Sequence, residues 1–241
     1  MAVSELKAGV WAGAIAISIL ASTASASTLS LTYHGATSGN DRKTVTINKA
    51  PPDYPGSGEW PRTVGAWGFK MKDSSGLLGD FVAWCLDVGD FLSTSPTDDK
   101  PYEITENPFT NSEGLTDTQQ VRVESIFNAN YGGVDIEDGL EAAAFQLALW
   151  EALYDDDYNL TDGDFKASAN AGITNIADDY LTSGASYDGS SKFRFSYLES
   201  SGNHKYQNLV TVTPVPLPGA AGMLILALGS IGLVKRRSKA I

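Results

Sequence analysis

Apolar and polar residues alternate over Thr28 to Tyr33 (TLSLTY) and Thr44 to Asn48 (TVTIN), the period of two of a half-buried strand. The stretch from Ala50 to Pro61, with four prolines and two glycines, reads as loop. Thr63 to Met71 is expected as one strand interrupted by glycines, followed by a turn at Ser74-Ser75-Gly76. Gly79 to Val88 (GDFVAWCLDV) lacks polar alternation, the mark of a strand covered on both faces. Ser93 to Thr118 is polar and is expected to be a long irregular loop. Alternation returns over Lys192 to Leu198 (KFRFSYL) and Asn208 to Thr213 (NLVTVT).

Between these strands the period changes to that of helices. Thr116 is placed to cap a helix over Asp117 to Tyr131, with Val121, Ile126 and Phe127 as an imperfect apolar face and Gly132-Gly133 as its stop. Asp138 caps a second helix that runs to Tyr154, and an acidic loop from Asp155 to Asp164 follows. Phe165 to Leu181 is expected to be helical, and Ser183 to Ser191 a linker. The fold class this implies is α+β, mainly β: sandwich- or barrel-like strands with a central helical insert.

One helix position is out of pattern. Around Ala142 to Tyr154, Glu141, Ala144, Ala148, Glu151 and Asp155 fall on one narrow side, expected to face water. Gln146 sits in the middle of the opposite, apolar arc with Ala142, Ala143, Leu149, Trp150, Leu153 and Tyr154. A buried carboxamide without partners costs about 1–3 kcal/mol, so something in the core must meet it.

The ends divide the 241 residues further. Residues 1–26 carry Lys7, an apolar run from Ala8 to Leu20 and the small-residue site Ala24-Ser25-Ala26, the pattern of a secretory signal peptide cut between Ala26 and Ser27 by signal peptidase. Residues 214–241 hold Pro214-Val215-Pro216-Leu217-Pro218, an apolar segment from Gly219 to Val234, and the basic stop Lys235, Arg236 and Arg237. That apolar segment is short of the roughly 20 residues of a usual span, but Leu217 and snorkelling cations extend it, and the basic end is expected in the cytoplasm. Residues 27–213 remain as one extracytoplasmic domain. The chain has 17 basic and 29 acidic residues; without Lys7, Glu5 and the four cations of the tail, the core keeps 12 and 28, a net −16. So acidic a core argues against nucleic-acid partners.

Charge and export sharpen the question of the single cysteine, Cys85, which cannot form an internal disulfide. Cys85 lies in the doubly apolar strand and Gln146 in the buried helix face. A thiol that attacks the carboxamide with loss of ammonia gives an internal Cys–Gln thioester, protected while buried and open to an arriving amine or hydroxyl. The plainer alternative is an inert buried thiol and a glutamine satisfied by backbone.

Phe81-Val82-Ala83-Trp84-Cys85-Leu86-Asp87 and Phe145-Gln146-Leu147-Ala148-Leu149-Trp150 resemble the two signature motifs of the Cys–Gln thioester domains of bacterial surface proteins. The resemblance covers about Thr28 to Thr213. It implies that Cys85 and Gln146 are the cross-linking pair, with Trp84, Phe145 and Trp150 packed around them. The family's best-known members are Gram-positive adhesins with stalk domains and a sortase signal, neither of which stands in this chain. The tail, with Val215, Pro216, Leu217 and Pro218 as its motif, resembles instead the VPLPA variant of the PEP-CTERM sorting signals, with Gly219 where the variant usually has alanine. That resemblance implies processing by an exosortase-type membrane protease in a Gram-negative bacterium. The protein would pass through the inner membrane on its C-terminal transmembrane helix and end at the outer surface or in the extracellular matrix.

Other chemistry is thin. Asp155, Asp157 and Asn159 imitate the first ligands of an EF-hand, but Leu160 stands in place of the glycine and Lys166 in place of the last glutamate. A solvated acidic loop is expected, with no metal site and no cofactor, although loose Ca²⁺ binding through Asp155 to Asp157 and Asp162 stays open. A Cys85–His dyad could use only His34 or His204, and an apolar strand raises a thiol pKa. The expectation is therefore a non-enzymatic surface protein that couples to a cell-surface or matrix nucleophile. The alternative is a non-reactive structural protein of the extracellular polysaccharide matrix.

Overall fold

The computed structural model describes residues 27–51, 60–105, 115–201 and 206–215. Six strands close a barrel: β1 (Thr28–Ala36), β4 (Phe69–Asp73), β5 (Asp80–Cys85), β6 (Lys100–Thr105), β8 (Phe193–Ser200) and β9 (Leu209–Pro214), in the order β1-β4-β5-β9-β8-β6. Every pairing in it is antiparallel. Closure leaves the barrel without an edge strand. A second sheet of three strands takes β3 (Arg62–Ala66), β2 (Lys43–Lys49) and β7 (Lys166–Ser168) in that order. Three helices complete the domain: α1 (Asp117–Asn130), α2 (Gly139–Tyr154) and α3 (Ala171–Ala185).

Alternation explains the strands that were legible. Leu29, Leu31 and Tyr33 of β1 and Val45 and Ile47 of β2 point inward, while their neighbours are exposed or half-buried. The helix starts also follow their caps. Thr116 and Gln119 form a reciprocal capping box, and the Asp138 carboxylate accepts the N–H groups of Leu140 and Glu141.

Several expectations are corrected. The polar stretch after Ser93 contains β6, which pairs with β1 on one side and β8 on the other; its only fully buried side chain is Tyr102. Such a strand exists through its neighbours rather than through its own pattern. Thr63 to Met71 is two strands in different sheets, parted at Trp67-Gly68, and a Cβ on Gly68 would press on Thr37 and Trp84. Residues 166–168 form β7 on β2, and the third helix begins only after the Asn170 cap. Val121 is exposed and Val123 takes the buried place on α1. Burial on both faces of β5 holds for Ala83 to Cys85, not for Phe81 and Val82.

The largest correction concerns α2. Ala144, Ala148 and Glu151 are buried, not solvated, because α2 is packed against α1, α3, β2 and β3. Small alanines on the supposed water side let the other elements approach closely.

The leader through Ala26, His204 and the tail from Pro216 onward, including the apolar segment and Lys235, Arg236 and Arg237, lie outside the described residues. Among the described residues no helix is long and apolar enough to cross a membrane. Ser27 accepts a hydrogen bond from the Ile104 N–H at 3.2 Å, so a chain beginning there keeps β1 whole. Pro214 ends β9, and the Val215 N–H bonds the Lys192 carbonyl at 2.8 Å, so the expected tail begins on the barrel.

Candidate functional site

Cys85 is the last residue of β5. Its neighbour on one side is Leu209 of β9. On the other side β4 begins only at Phe69, opposite Ala83, so Cys85 has no strand partner there. A buried strand position in that situation has an orphaned N–H and C=O. The Gln146 side chain fills the gap: the Cys85 N–H donates to Gln146 Oε1 at 2.9 Å, and Gln146 Nε2 donates to the Cys85 carbonyl at 2.8 Å. The carboxamide stands in for a strand's peptide group. Both residues are 1 % exposed.

The thiol faces elsewhere. Cys85 Sγ donates to the Asp87 carbonyl at 2.8 Å, and the same oxygen accepts from Gln207 Nε2 at 2.9 Å. Burial, and then the charge of the Asp87 carboxylate, push the thiol pKa well up. The indole of Trp150 and the bond to the Asp87 carbonyl pull it down and are outweighed. The Trp150 N–H itself reaches no partner at hydrogen-bond geometry. At neutral pH the group is a thiol, not a thiolate.

Helical periodicity places more of α2 on the same segment. Gln146, Trp150 and Tyr154 recur at intervals of four and share one face. The Tyr154 hydroxyl donates to the Leu86 carbonyl at 2.8 Å and accepts the Val88 N–H at 3.1 Å. Residues 86–88 continue beyond the end of β5, and side chains of α2 bond the backbone of Cys85, Leu86 and Val88. Trp84 and Phe145 lie on another side of the pair: their rings meet edge to face at 4.8 Å, in contact with Phe127 and Tyr131. Of the five residues expected at the site, Cys85, Gln146 and Trp150 are brought together, whereas Trp84 and Phe145 pack against each other in a neighbouring aromatic cluster.

Two contributors escaped the sequence reading. Tyr154 was legible only as an apolar-arc residue, although its spacing of eight from Gln146 was the available signal. Asp87 is fully buried; its Oδ2 accepts the Asn208 N–H at 2.5 Å, and Oδ1 has no hydrogen-bond partner. Burial first, and then nearby Asp90 and Glu199, raise its pKa well above the carboxylate range, outweighing the bond from Asn208. The available signal was its place, two residues after Cys85, in the stretch Gly79 to Val88 expected to be covered on both faces.

A cleft of about 230 Å³ reaches this region from the surface. Trp67, Phe69 and Phe91 supply apolar walls, Arg62 and Asp90 charge, and Trp150 and Gln207 line it as well. Trp150 and Gln207 also connect it to the sulfur, the first through its indole and the second through the shared Asp87 carbonyl.

His34 is exposed on β1, its Nε2 3.1 Å from Thr32 Oγ1, whereas the thiol is buried and bonded to Asp87. That arrangement holds no Cys85–His34 dyad.

No family model and no curated protein matches the chain. Among solved structures it is similar to the N-terminal domain of the Streptococcus pyogenes pilus tip adhesin Cpa (15% identity, TM-score 0.42, covering 76% of this chain and 99% of that one). It is also similar to an N-terminal thioester domain of a surface protein from Clostridium perfringens (13%, 0.39, 72% and 100%). A third is the N-terminal thioester domain of the fibronectin-binding protein SfbI from S. pyogenes (19%, 0.40, 73% and 95%). Likenesses this distant carry no functional argument, which rests on the residues of the site.

Proposed function

We propose that this chain is an exported bacterial surface protein whose Cys85 and Gln146 form an internal thioester for covalent attachment to a surface or matrix molecule. The observation that carries the reading is the reciprocal pair of hydrogen bonds between the Gln146 carboxamide and the Cys85 backbone, which holds the amide against the residue that bears the thiol.

The bond would form by addition and then elimination at the Gln146 carbonyl carbon. Sγ adds to the Gln146 carbonyl carbon, the amide nitrogen leaves as ammonia with the thiol proton, and an acyl–sulfur bond remains. In the tetrahedral intermediate the charge develops on Oε1, the oxygen that already accepts the Cys85 N–H at 2.9 Å. The aromatic packing of Trp84, Phe145 and Trp150 keeps water out. A nucleophile entering past Trp150 then attacks the same carbon, releases the Cys85 thiol and leaves an amide or ester on Gln146. No turnover follows, so the protein acts once and is not an enzyme.

Export by the leader and sorting by the exosortase-type tail belong to the same proposal, supported by residues 1–26 and 214–241 of the sequence. The test is capture of a small amine. Methylamine incubated with the folded protein should appear on Gln146 in peptide mapping and leave Cys85 newly alkylatable. No adduct on Gln146 would leave the non-reactive matrix protein as the better reading.

A further inference from the structure

At its C-terminal end α2 turns into the acidic loop, and three carboxylates converge there. Glu151, Asp155 and Asp157 each bring an oxygen within 4.8 Å of the others. Glu151 is 0 % exposed, and Asp155 is buried too. Glu151 Oε1 accepts the Asn159 N–H at 2.9 Å, but Oε2, equally buried, has no hydrogen-bond partner. A buried carboxylate oxygen beside two like charges is an expensive arrangement unless a positive charge completes it.

The neighbouring cations are engaged elsewhere. Lys49 bonds Asp164 and the Gly163 carbonyl, Lys166 bonds Asp162, and Arg122 bonds the Ala152 and Leu153 carbonyls. The loop is nevertheless built around the cluster. Asp155 accepts the N–H groups of Asp156 (2.8 Å), Phe165 (2.9 Å) and Asp164, and Asp157 accepts that of Asn159 at 2.8 Å. Gly163, at φ +80°, closes so tightly that a Cβ would lie 1.9 Å from Asp155 Oδ2. The negative end of the helix dipole favours a cation at this position.

We propose that Glu151, Asp155 and Asp157 bind one Ca²⁺ ion at the C-terminal end of α2. The donors are oxygens only, which selects a hard cation, and an irregular, loop-built set suits Ca²⁺ better than the strict octahedron of Mg²⁺. Glu151 lies five residues beyond Gln146 on the same helix, so the ion would fix the end of the element that carries the amide, while the site stands independently of the thioester.

The full chain, stripped with chelator, is titrated with Ca²⁺ by calorimetry and by thermal melting, with NaCl of equal ionic strength as reference. One saturable site is expected, at roughly 10⁻⁴–10⁻³ M as in extracellular Ca²⁺ modules, together with a rise in Tm that NaCl does not reproduce. The exposed change Asp157→Asn should weaken binding at least about ten-fold while the fold is kept, since losing even a residue that only orients a ligand typically costs about 10–100-fold. Glu151→Gln should abolish the Ca²⁺-dependent rise, and Asp188→Asn, outside the cluster, should leave it unchanged. No saturable binding up to about ten times that range, or an equal rise in Asp157→Asn and wild type, overturns the proposal.

Discussion

Gln146 bonds the backbone of Cys85 and not its sulfur, through an N–H to Oε1 at 2.9 Å and an Nε2 to carbonyl at 2.8 Å. The plain and the reactive expectations for Gln146 therefore meet in one contact: the glutamine is satisfied by backbone, and the backbone is that of the thiol-bearing residue.

An asymmetry between the two residues follows. Gln146→Ala leaves two buried backbone groups of Cys85 unpaired, each costing about 1–3 kcal/mol. Cys85→Ala keeps both bonds and removes only a small buried sulfur, a loss of about 1 kcal/mol typical of point changes. Denaturant unfolding of the two variants, neither of which can form the thioester, should place Gln146→Ala well below Cys85→Ala. Equal losses would mean that the carboxamide does not complete the strand.

Tyr154→Phe removes one hydroxyl and strands both the Leu86 carbonyl and the Val88 N–H. A loss of about 1–3 kcal/mol is expected in the same unfolding measurement. Hydrogen exchange at Val88 should quicken more than at Leu31 in β1, which lies away from the change. Unchanged exchange at Val88 would show that Tyr154 does not hold the segment.

Asp73, buried at the end of β4, accepts N–H groups from Ser30, Ser75, Leu77 and Leu78 and the hydroxyl of Ser75. Burial opposes the charge, but these bonds together lower the pKa from 3.8 to about 2. A depressed carboxylate contributes stability that is fully present above its unfolded pKa and lost as pH falls through the folded one. The wild-type protein should therefore lose stability between about pH 4 and pH 2 by more than Asp73→Asn does, read from unfolding midpoints across that window. Parallel acid profiles would remove Asp73 as the cause.

Strands β1, β2, β8 and β9 and the starts of α1 and α2 were legible because their signals are local: a period of two, or a capping residue. Strand β6 was not, since Lys100, Pro101 and Glu103 hide a strand that β1 and β8 impose on it. Periodicity marked Gln146 as misplaced, and the lone Cys85 was the chemically fitting partner. It placed Glu151 on the wrong side of the water line, because burial of that side depends on α1, α3 and the second sheet packing around α2. The acidic loop looked solvated for the same reason: its third carboxylate comes from a helix position assigned to solvent.

The central claim is a covalent bond between Cys85 and Gln146, and intact-mass spectrometry of the freshly purified, folded protein tests it most directly. The account predicts a mass lower than the sequence requires by one ammonia, with no such deficit in Cys85→Ala or Gln146→Ala. A wild-type mass equal to that of its sequence, with Cys85 fully alkylated once the chain is denatured, would contradict it.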